Sequence, residues 1–175
     1  MNLANKITIT RVFFIPVCVL LLLANNKVMD IVAICFFILA CATDALDGYI
    51  ARKKNLITDL GKFMDPLVDK LLVISILITL VELQKISCWI AIIIVWRELI
   101  ITGFRLIAAK KNIVIQANYL GKIKTVLQMI MIVLLIFDFK NYFMLVFNNL
   151  IIVSTVVFTF WSGVDYIYKN KNVLS

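Results

Sequence analysis

Six long apolar stretches, separated by short polar ones, dominate the pattern along this chain. A helix needs about 20 mostly apolar residues to cross a bilayer. Several of the stretches are shorter, so we expect their helices to continue into the polar flanks, and the second helix in particular to run on beyond Thr43. The stretches are Ile7–Ala24, Met29–Thr43, Leu60–Leu83, Ile86–Ala109, Thr125–Phe137 and Tyr142–Tyr168.

The composition agrees with this pattern. Of the 175 residues, 63% are hydrophobic, and the mean hydropathy is +1.04, whereas soluble domains are roughly 45–50% apolar. We therefore predict an all-α integral membrane protein with six transmembrane helices. The first stretch ends in Asn25-Asn26-Lys27 and not in a cleavage site of small residues, which indicates a retained helix. Because no linker or repeat is visible, residues 1–175 are predicted to form one domain.

The basic residues give the predicted helices an orientation. In membrane proteins, cytoplasmic loops carry the excess of Lys and Arg. With a cytoplasmic N-terminus, the opposite side of the membrane receives only Lys27, Lys85 and Lys140. We therefore expect both termini to be cytoplasmic. The cytoplasmic side then receives Lys6, Arg11, Arg52, Lys53, Lys54, Lys62, Lys110, Lys111, Lys122, Lys124, Lys169 and Lys171.

The chain has no histidine, so a metal ion would need oxygen ligands, which favours Mg²⁺ or Mn²⁺ over Zn²⁺. The cysteines lie apart in apolar stretches without a C-x-x-C pair, and we expect buried, reduced thiols. They are Cys18, Cys35, Cys41 and Cys88.

Two carboxylates stand out at the end of the second helix. Asp44 and Asp47 are spaced i,i+3 and therefore share a helix face. Gly48 and Ala51 fall on that same face and leave room for a ligand to approach the backbone.

A second group follows at the start of the third helix, where Gly61, Asp65 and Asp69 repeat at i,i+4. With the predicted topology, both pairs of aspartates lie at the cytoplasmic side. Four carboxylates near hydrocarbon are costly unless they are compensated. Two divalent cations would neutralise them and could bind a phosphate between them. The alternative is four solvated aspartates, each paired with a nearby Lys or Arg.

These residues compose a longer pattern, Asp44-x2-Asp47-Gly48-x2-Ala51-Arg52-x8-Gly61-x3-Asp65-x3-Asp69. It resembles the full signature of the CDP-alcohol phosphatidyltransferase family. The resemblance implies a site for two metal ions, held by Asp44, Asp47 and Asp65 along with Asp69, which also acts as general base. It implies that the CDP pocket includes Gly48, Ala51, Arg52 and Gly61.

Other segments are similar to one branch of that family, in which CDP-diacylglycerol and sn-glycerol 3-phosphate give phosphatidylglycerophosphate and CMP. They are Asn5-x2-Thr8-x2-Arg11, Arg97–Arg105, Gly121–Thr125 and the stretch from Phe158. Asn5, Thr8 and Arg11 are candidates for closing over the nucleotide of the lipid substrate, with helix capping and interfacial anchoring as the alternative.

The acceptor of that branch is a dianion and needs a cationic pocket, for which guanidinium groups are well suited. An intramembrane Arg97 is a functional candidate, although it could also pair with Glu98. Lys122 and Lys124 could instead contact anionic lipids. The predicted acceptor-phosphate ligands are Arg97, Arg105, Lys122 and Lys124.

Alternatives remain at this stage. The metal motif does not distinguish glycerol phosphate from inositol phosphate, serine or phosphatidylglycerol as the acceptor. A divalent-cation transporter would also use intramembrane aspartates, but it should show midplane carboxylates and repeat symmetry. The family resemblance further suggests a homodimer through helices 3 and 4. We expect membrane lipids as partners and no nucleic acid.

Overall fold

The computed structural model describes residues 3–54, 59–111, 119–139 and 141–170, and in these ranges the chain is helical without strands. Within them, the description excludes the side chains of residues 3–11, 44–54, 59–67, 69 and 109–110. The helices are α1 (Leu3–Leu23), α2 (Lys27–Lys54), α3 (Asp59–Glu82), α4 (Cys88–Lys110), α5 (Tyr119–Phe137) and α6 (Tyr142–Lys169).

The helix bounds follow the apolar stretches, with two informative extensions. The prediction that the second helix passes Thr43 is confirmed, since α2 ends at Lys54. The fifth helix begins at Tyr119, six residues before the predicted Thr125. Its six added residues include Gly121, Lys122 and Lys124, which interrupt the apolar pattern although lysine is a good helix former. The Thr125 hydroxyl donates to the Gly121 carbonyl oxygen at 2.9 Å. The hydrophobic pattern alone therefore placed the start of the fifth helix too late in the chain.

Residues 1–83 form one compact unit, in which α1 packs against both α2 and α3. Its interior holds fully buried apolar side chains from all three helices, such as Leu22, Phe37 and Leu77. Phe14 and Phe36 add an edge-to-face contact between α1 and α2, with ring centroids 5.6 Å apart. This packing fixes the relative positions of the two helices that contain the aspartate motif.

Residues 84–175 form the second compact unit, in which α6 packs against α4 and α5. The Lys85 ammonium group donates to the Ile136 carbonyl oxygen at 3.1 Å, so the start of α4 lies near the end of α5. Glu98 and Lys124 meet further along. These two contacts make α5 antiparallel to α4. Buried side chains such as Ile94, Met131 and Ile132 fill the interior.

Large apolar side chains remain exposed on many helix faces, among them Phe143 (72%), Trp89 (75%) and Phe160 (70%). Exposed apolar surface on this scale is typical of proteins in contact with lipid or a partner. In the described part of the chain, α5 and α6 have the length and hydropathy to cross a membrane. The apolar helices and their exposed apolar faces indicate a membrane protein.

None of the four cysteines forms a disulfide, as predicted. The expectation that all are buried is wrong, because Cys35 and Cys88 are exposed and Cys41 is half-buried. They lie on helix faces of an apolar surface, where a thiol behaves as a small hydrophobe.

Candidate acceptor and metal site

Both pairs of predicted metal ligands lie on helices. Asp44 and Asp47 belong to α2, and Asp65 and Asp69 belong to α3. The i,i+3 and i,i+4 spacings therefore place each pair on one face of its helix. Their side chains lie outside the described residues, and no group of three or more potential metal ligands occurs among those that are described. The metal site stays a prediction.

The predicted CDP-lipid residues have the same status. Each lies on α1, α2 or α3, and its side chain is outside the described residues. They are Asn5, Thr8 and Arg11 on α1, Gly48, Ala51 and Arg52 on α2, and Gly61 on α3.

Of the two arginines in the second unit, Arg97 is more enclosed than Arg105. A terminal nitrogen, Nη2, donates to the Ser162 hydroxyl of α6 at 3.0 Å. The other, Nη1, lies 3.8 Å from Oε1 of Glu98. Two glycines leave room for the side chain: a Cβ at Gly163 would come within 3.3 Å of Cγ, and one at Gly121 within 3.8 Å of Nη2. Glycine at these positions therefore allows an arginine between α4, α5 and α6.

Glu98 and Lys124 form an ion pair across α4 and α5. The Lys124 side chain is fully buried, and that of Glu98 is 6% exposed. Removing a charge from water costs free energy, and an opposite charge that hydrogen-bonds to it offsets much of that cost. The charge of Lys124 is thus compensated inside the protein, whereas Lys122, two residues earlier on α5, is exposed.

Arg105 is exposed and lies about two turns beyond Arg97 on α4, where it also contacts α6. Its Nε donates to the Tyr166 hydroxyl at 3.2 Å, and its guanidinium carbon lies 5.5 Å from the centroid of the Tyr166 ring. Tyr166 itself is 3% exposed. It packs edge-to-face on Phe104, at 5.9 Å between centroids, in a buried cluster with Ile101 and Ala108.

A cavity of about 370 Å³ lies between α4 and α6 beside Arg97, with mostly apolar walls. Two buried polar atoms of its lining residues, Nε of Arg97 and the hydroxyl oxygen of Thr159, have no hydrogen-bond partner among the described residues. Unpaired buried polar groups are unusual in folded proteins. The wall next to Arg97 therefore has unused capacity to bind an oxygen-rich group.

Three of the four predicted acceptor ligands make polar contacts between helices of the second unit. Arg97 and Lys124 both approach Glu98, and Arg105 binds Tyr166 further along α4. Lys122 lies at an exposed position on α5. Three cations and one carboxylate give the group of Arg97, Arg105, Lys124 and Glu98, called the cationic network below, two net positive charges, which suit the binding of an anion.

The α6 partners of Arg97 and Arg105 were not predicted from the sequence. Ser162 and Tyr166 lie four residues apart on one face of α6, and both are buried in a largely apolar helix. A buried hydroxyl needs a polar partner, so that spacing was a signal that α6 presents a polar face to its neighbours. Which helix supplies the partner is visible only in the folded unit.

The sequence model of one family, described as CDP-alcohol phosphatidyltransferase, matches residues 1–161. The chain belongs to the CDP-alcohol phosphatidyltransferase family.

Individual CDP-alcohol phosphatidyltransferases are similar over most of their length. A CDP-diacylglycerol–glycerol-3-phosphate 3-phosphatidyltransferase of Bacillus subtilis is 40% identical, over 99% of this chain and 97% of that protein. The enzyme of the same name from Haemophilus influenzae is 33% identical, over 99% and 95%. That from Rickettsia typhi is 39% identical, over 80% and 79%.

Enzymes of the CDP-alcohol phosphatidyltransferase family are generally metal-dependent. The aspartate motif suits that property, because four carboxylates in a chain without histidine offer only hard oxygen donors. Such donors fit Mg²⁺ or Mn²⁺.

Proposed function

We propose that this chain transfers the phosphatidyl group of CDP-diacylglycerol to sn-glycerol 3-phosphate, giving phosphatidylglycerophosphate and CMP in phospholipid biosynthesis. The observation that carries the proposal is its 33–40% identity to enzymes named for this reaction, over 80–99% of the chain. The cationic network of α4 and α5 is consistent with a phosphorylated acceptor, because its two net positive charges match a phosphate dianion.

In this proposal, Asp44, Asp47, Asp65 and Asp69 hold two divalent cations, either Mg²⁺ or Mn²⁺. When bound, such ions stabilise negative charge on the pyrophosphate and on the leaving group. The CDP-lipid contacts are proposed at Asn5, Thr8, Arg11, Gly48, Ala51, Arg52 and Gly61.

The proposed chemistry is a single displacement at the phosphorus that carries the diacylglycerol. The free hydroxyl oxygen of glycerol 3-phosphate forms the new P–O bond, and the bond from that phosphorus to the CMP oxygen breaks. Asp69 accepts the hydroxyl proton as general base. Arg97, Arg105, Lys122 and Lys124 are the proposed acceptor set, in which the exposed Arg105 and Lys122 contact the phosphate and the buried Lys124 holds Glu98.

We propose that six helices span the cytoplasmic membrane, with both termini and the active site on the cytoplasmic side. The direction of the helices in the second unit supports this arrangement. Arg97 meets Ser162 and, further along, Arg105 meets Tyr166, so α4 and α6 run parallel, while α5 runs antiparallel to α4. Successive spans alternate in this way. We also propose that the protein forms a homodimer through α3 and α4 and that membrane lipids surround it.

An acceptor panel tests the proposed function. The purified chain in mixed micelles receives CDP-diacylglycerol and Mg²⁺ with one labelled acceptor at a time: glycerol 3-phosphate, inositol phosphate, serine or phosphatidylglycerol. We expect CMP release and a labelled lipid phosphate only with glycerol 3-phosphate. A labelled lipid product from another acceptor in preference to glycerol 3-phosphate would reject the proposed substrate, and CMP release without any acceptor-labelled lipid would reject transfer.

A further inference from the structure

We propose that one turn of α6 positions the acceptor-binding arginines, with Tyr166 as the positioning residue for Arg105 and Ser162 as the positioning residue for Arg97. The inference rests on the proposed function and assigns α6 a part in acceptor recognition. Ser162 and Tyr166 are four residues apart, which is about one helical turn, and each binds one arginine of α4.

The tyrosine is itself held firmly. Its ring is buried against Phe104 and in a cluster with Ile101 and Ala108, so packing fixes the ring before any substrate arrives. The hydroxyl at the edge of the ring then receives the Nε–H of Arg105. A long side chain that would otherwise sample many rotamers is thereby held in one orientation at an exposed position.

The choice of nitrogen matters for binding. A guanidinium group has five N–H donors, and Tyr166 uses the one on Nε. Among the described residues, the two terminal nitrogens of Arg105 donate no hydrogen bond. They remain available to bind two phosphate oxygens.

Arg97 is held in the complementary way, because Ser162 binds a terminal nitrogen. The Ser162 hydroxyl also donates to the Thr159 carbonyl oxygen at 3.2 Å, which orients its oxygen as an acceptor for Arg97. Both arginines are thus tied to a single turn of α6, although they are about 12 Å apart along α4 by helical rise.

Steady-state kinetics of Tyr166→Phe tests the inference. This variant keeps the ring and its packing and removes only the hydroxyl oxygen. Because Arg105 would lose its orientation, we expect the KM for glycerol 3-phosphate to rise roughly three- to tenfold, the value of one hydrogen bond. The KM for CDP-diacylglycerol should stay within about twofold of the original. Tyr142→Phe, at the exposed start of the same helix, is the matched control and should change neither constant.

A double-variant cycle separates positioning from general damage. If Tyr166 acts through Arg105, then Tyr166→Phe added to Arg105→Ala should not raise the acceptor KM further. Full additivity of the two changes would overturn the inference, as would an equal rise of both KM values in Tyr166→Phe or an unchanged acceptor KM.

Ser162→Ala provides a second, independent readout, with Ser154→Ala on the same helix as its control. We expect a higher acceptor KM for Ser162→Ala alone, and the same values for both variants would overturn the role of Ser162. If the unmodified chain forms no lipid phosphate from glycerol 3-phosphate, the proposed function itself fails and this inference fails with it. If the unmodified chain does form it and the variants behave like the controls, only the positioning role fails.

Discussion

Lys124 donates to Glu98 in the interior of the second unit, where its own side chain is fully buried. Because Glu98 also lies 3.8 Å from Arg97, one carboxylate is shared by a cation of α5 and a cation of α4. The pair therefore does two things: it joins the helices, and it limits the positive charge that the network presents to a ligand.

The first prediction concerns the stability of this pair. Glu98→Gln should lower the free energy of unfolding by about 3 kcal/mol or more, because it leaves Lys124 as a buried charge without its counterion. Thermal unfolding in detergent would show this as a fall in the apparent melting temperature of roughly 6–12 °C.

Two further variants make the test of the ion pair specific. The double replacement Glu98→Leu with Lys124→Met should recover most of the lost stability, since neither buried charge is left alone. Lys122→Met, at the exposed position on the same helix, should change the free energy of unfolding by no more than about 0.5 kcal/mol. A Glu98→Gln protein with the original melting temperature would contradict the importance of the pair.

The second prediction uses the glycines around Arg97. Gly163→Ala should raise the acceptor KM, because its new Cβ would lie 3.3 Å from Cγ of Arg97 and would push that side chain aside. Gly103→Ala is the matched control on α4, where a Cβ meets nothing within 4 Å. It should keep the acceptor KM and stabilise the helix by about 0.5–1 kcal/mol. If both variants changed the acceptor KM to the same extent, the position of the Arg97 side chain would not affect acceptor binding.

The third prediction addresses the proposed general base. Asp69→Asn should reduce the turnover number by about 10²–10⁴-fold, the usual contribution of acid–base catalysis, while the helical circular dichroism stays unchanged. Asp138→Asn is its control, because Asp138 is exposed in the turn after α5 and its φ of 47° is one that asparagine also adopts. This variant should keep its activity. Unimpaired transfer by Asp69→Asn would remove Asp69 from the chemistry.

The fourth prediction concerns metal removal. Chelation of divalent cations should abolish transfer, and either Mg²⁺ or Mn²⁺ should restore it. Binding should also raise the apparent melting temperature of the unmodified chain, by an amount equivalent to about 2.7 kcal/mol at one hundred times the dissociation constant. Asp44→Asn should weaken that thermal response. An identical metal-dependent shift in the variant would place the ion elsewhere, independently of any activity measurement.

The extent to which the sequence predicted this fold differs from helix to helix. The apolar stretches predicted all six helices, because burial in lipid or in a helical unit demands continuous apolar faces. The start of α5 before Thr125 was not predicted, because Gly121, Lys122 and Lys124 interrupt the hydrophobic pattern. These residues are nevertheless compatible with a helix. Length and hydropathy alone do not separate a polar loop from a polar helical turn.

The site was predictable to a different degree. Lys122 and Lys124 are two residues apart, which places them on nearly opposite faces of α5, so only one of them was able to enter the interior. Their positions in the sequence do not indicate which of the two lysines is buried. Lys124 is the buried one because it meets Glu98 of α4, and that contact depends on how the two helices pack.

The parallel course of α4 and α6 has a mechanical consequence. Because one turn of α6 holds both arginines, rotation of α6 about its own axis changes the surroundings of both cations together. A residue inserted within α6 ahead of Ser162 would turn Ser162 and Tyr166 by about 100° and release Arg97 and Arg105 at once. The number of residues between Tyr142 and Ser162 therefore determines the direction in which Ser162 and Tyr166 point around the axis of α6. An insertion or deletion in this segment would change that direction.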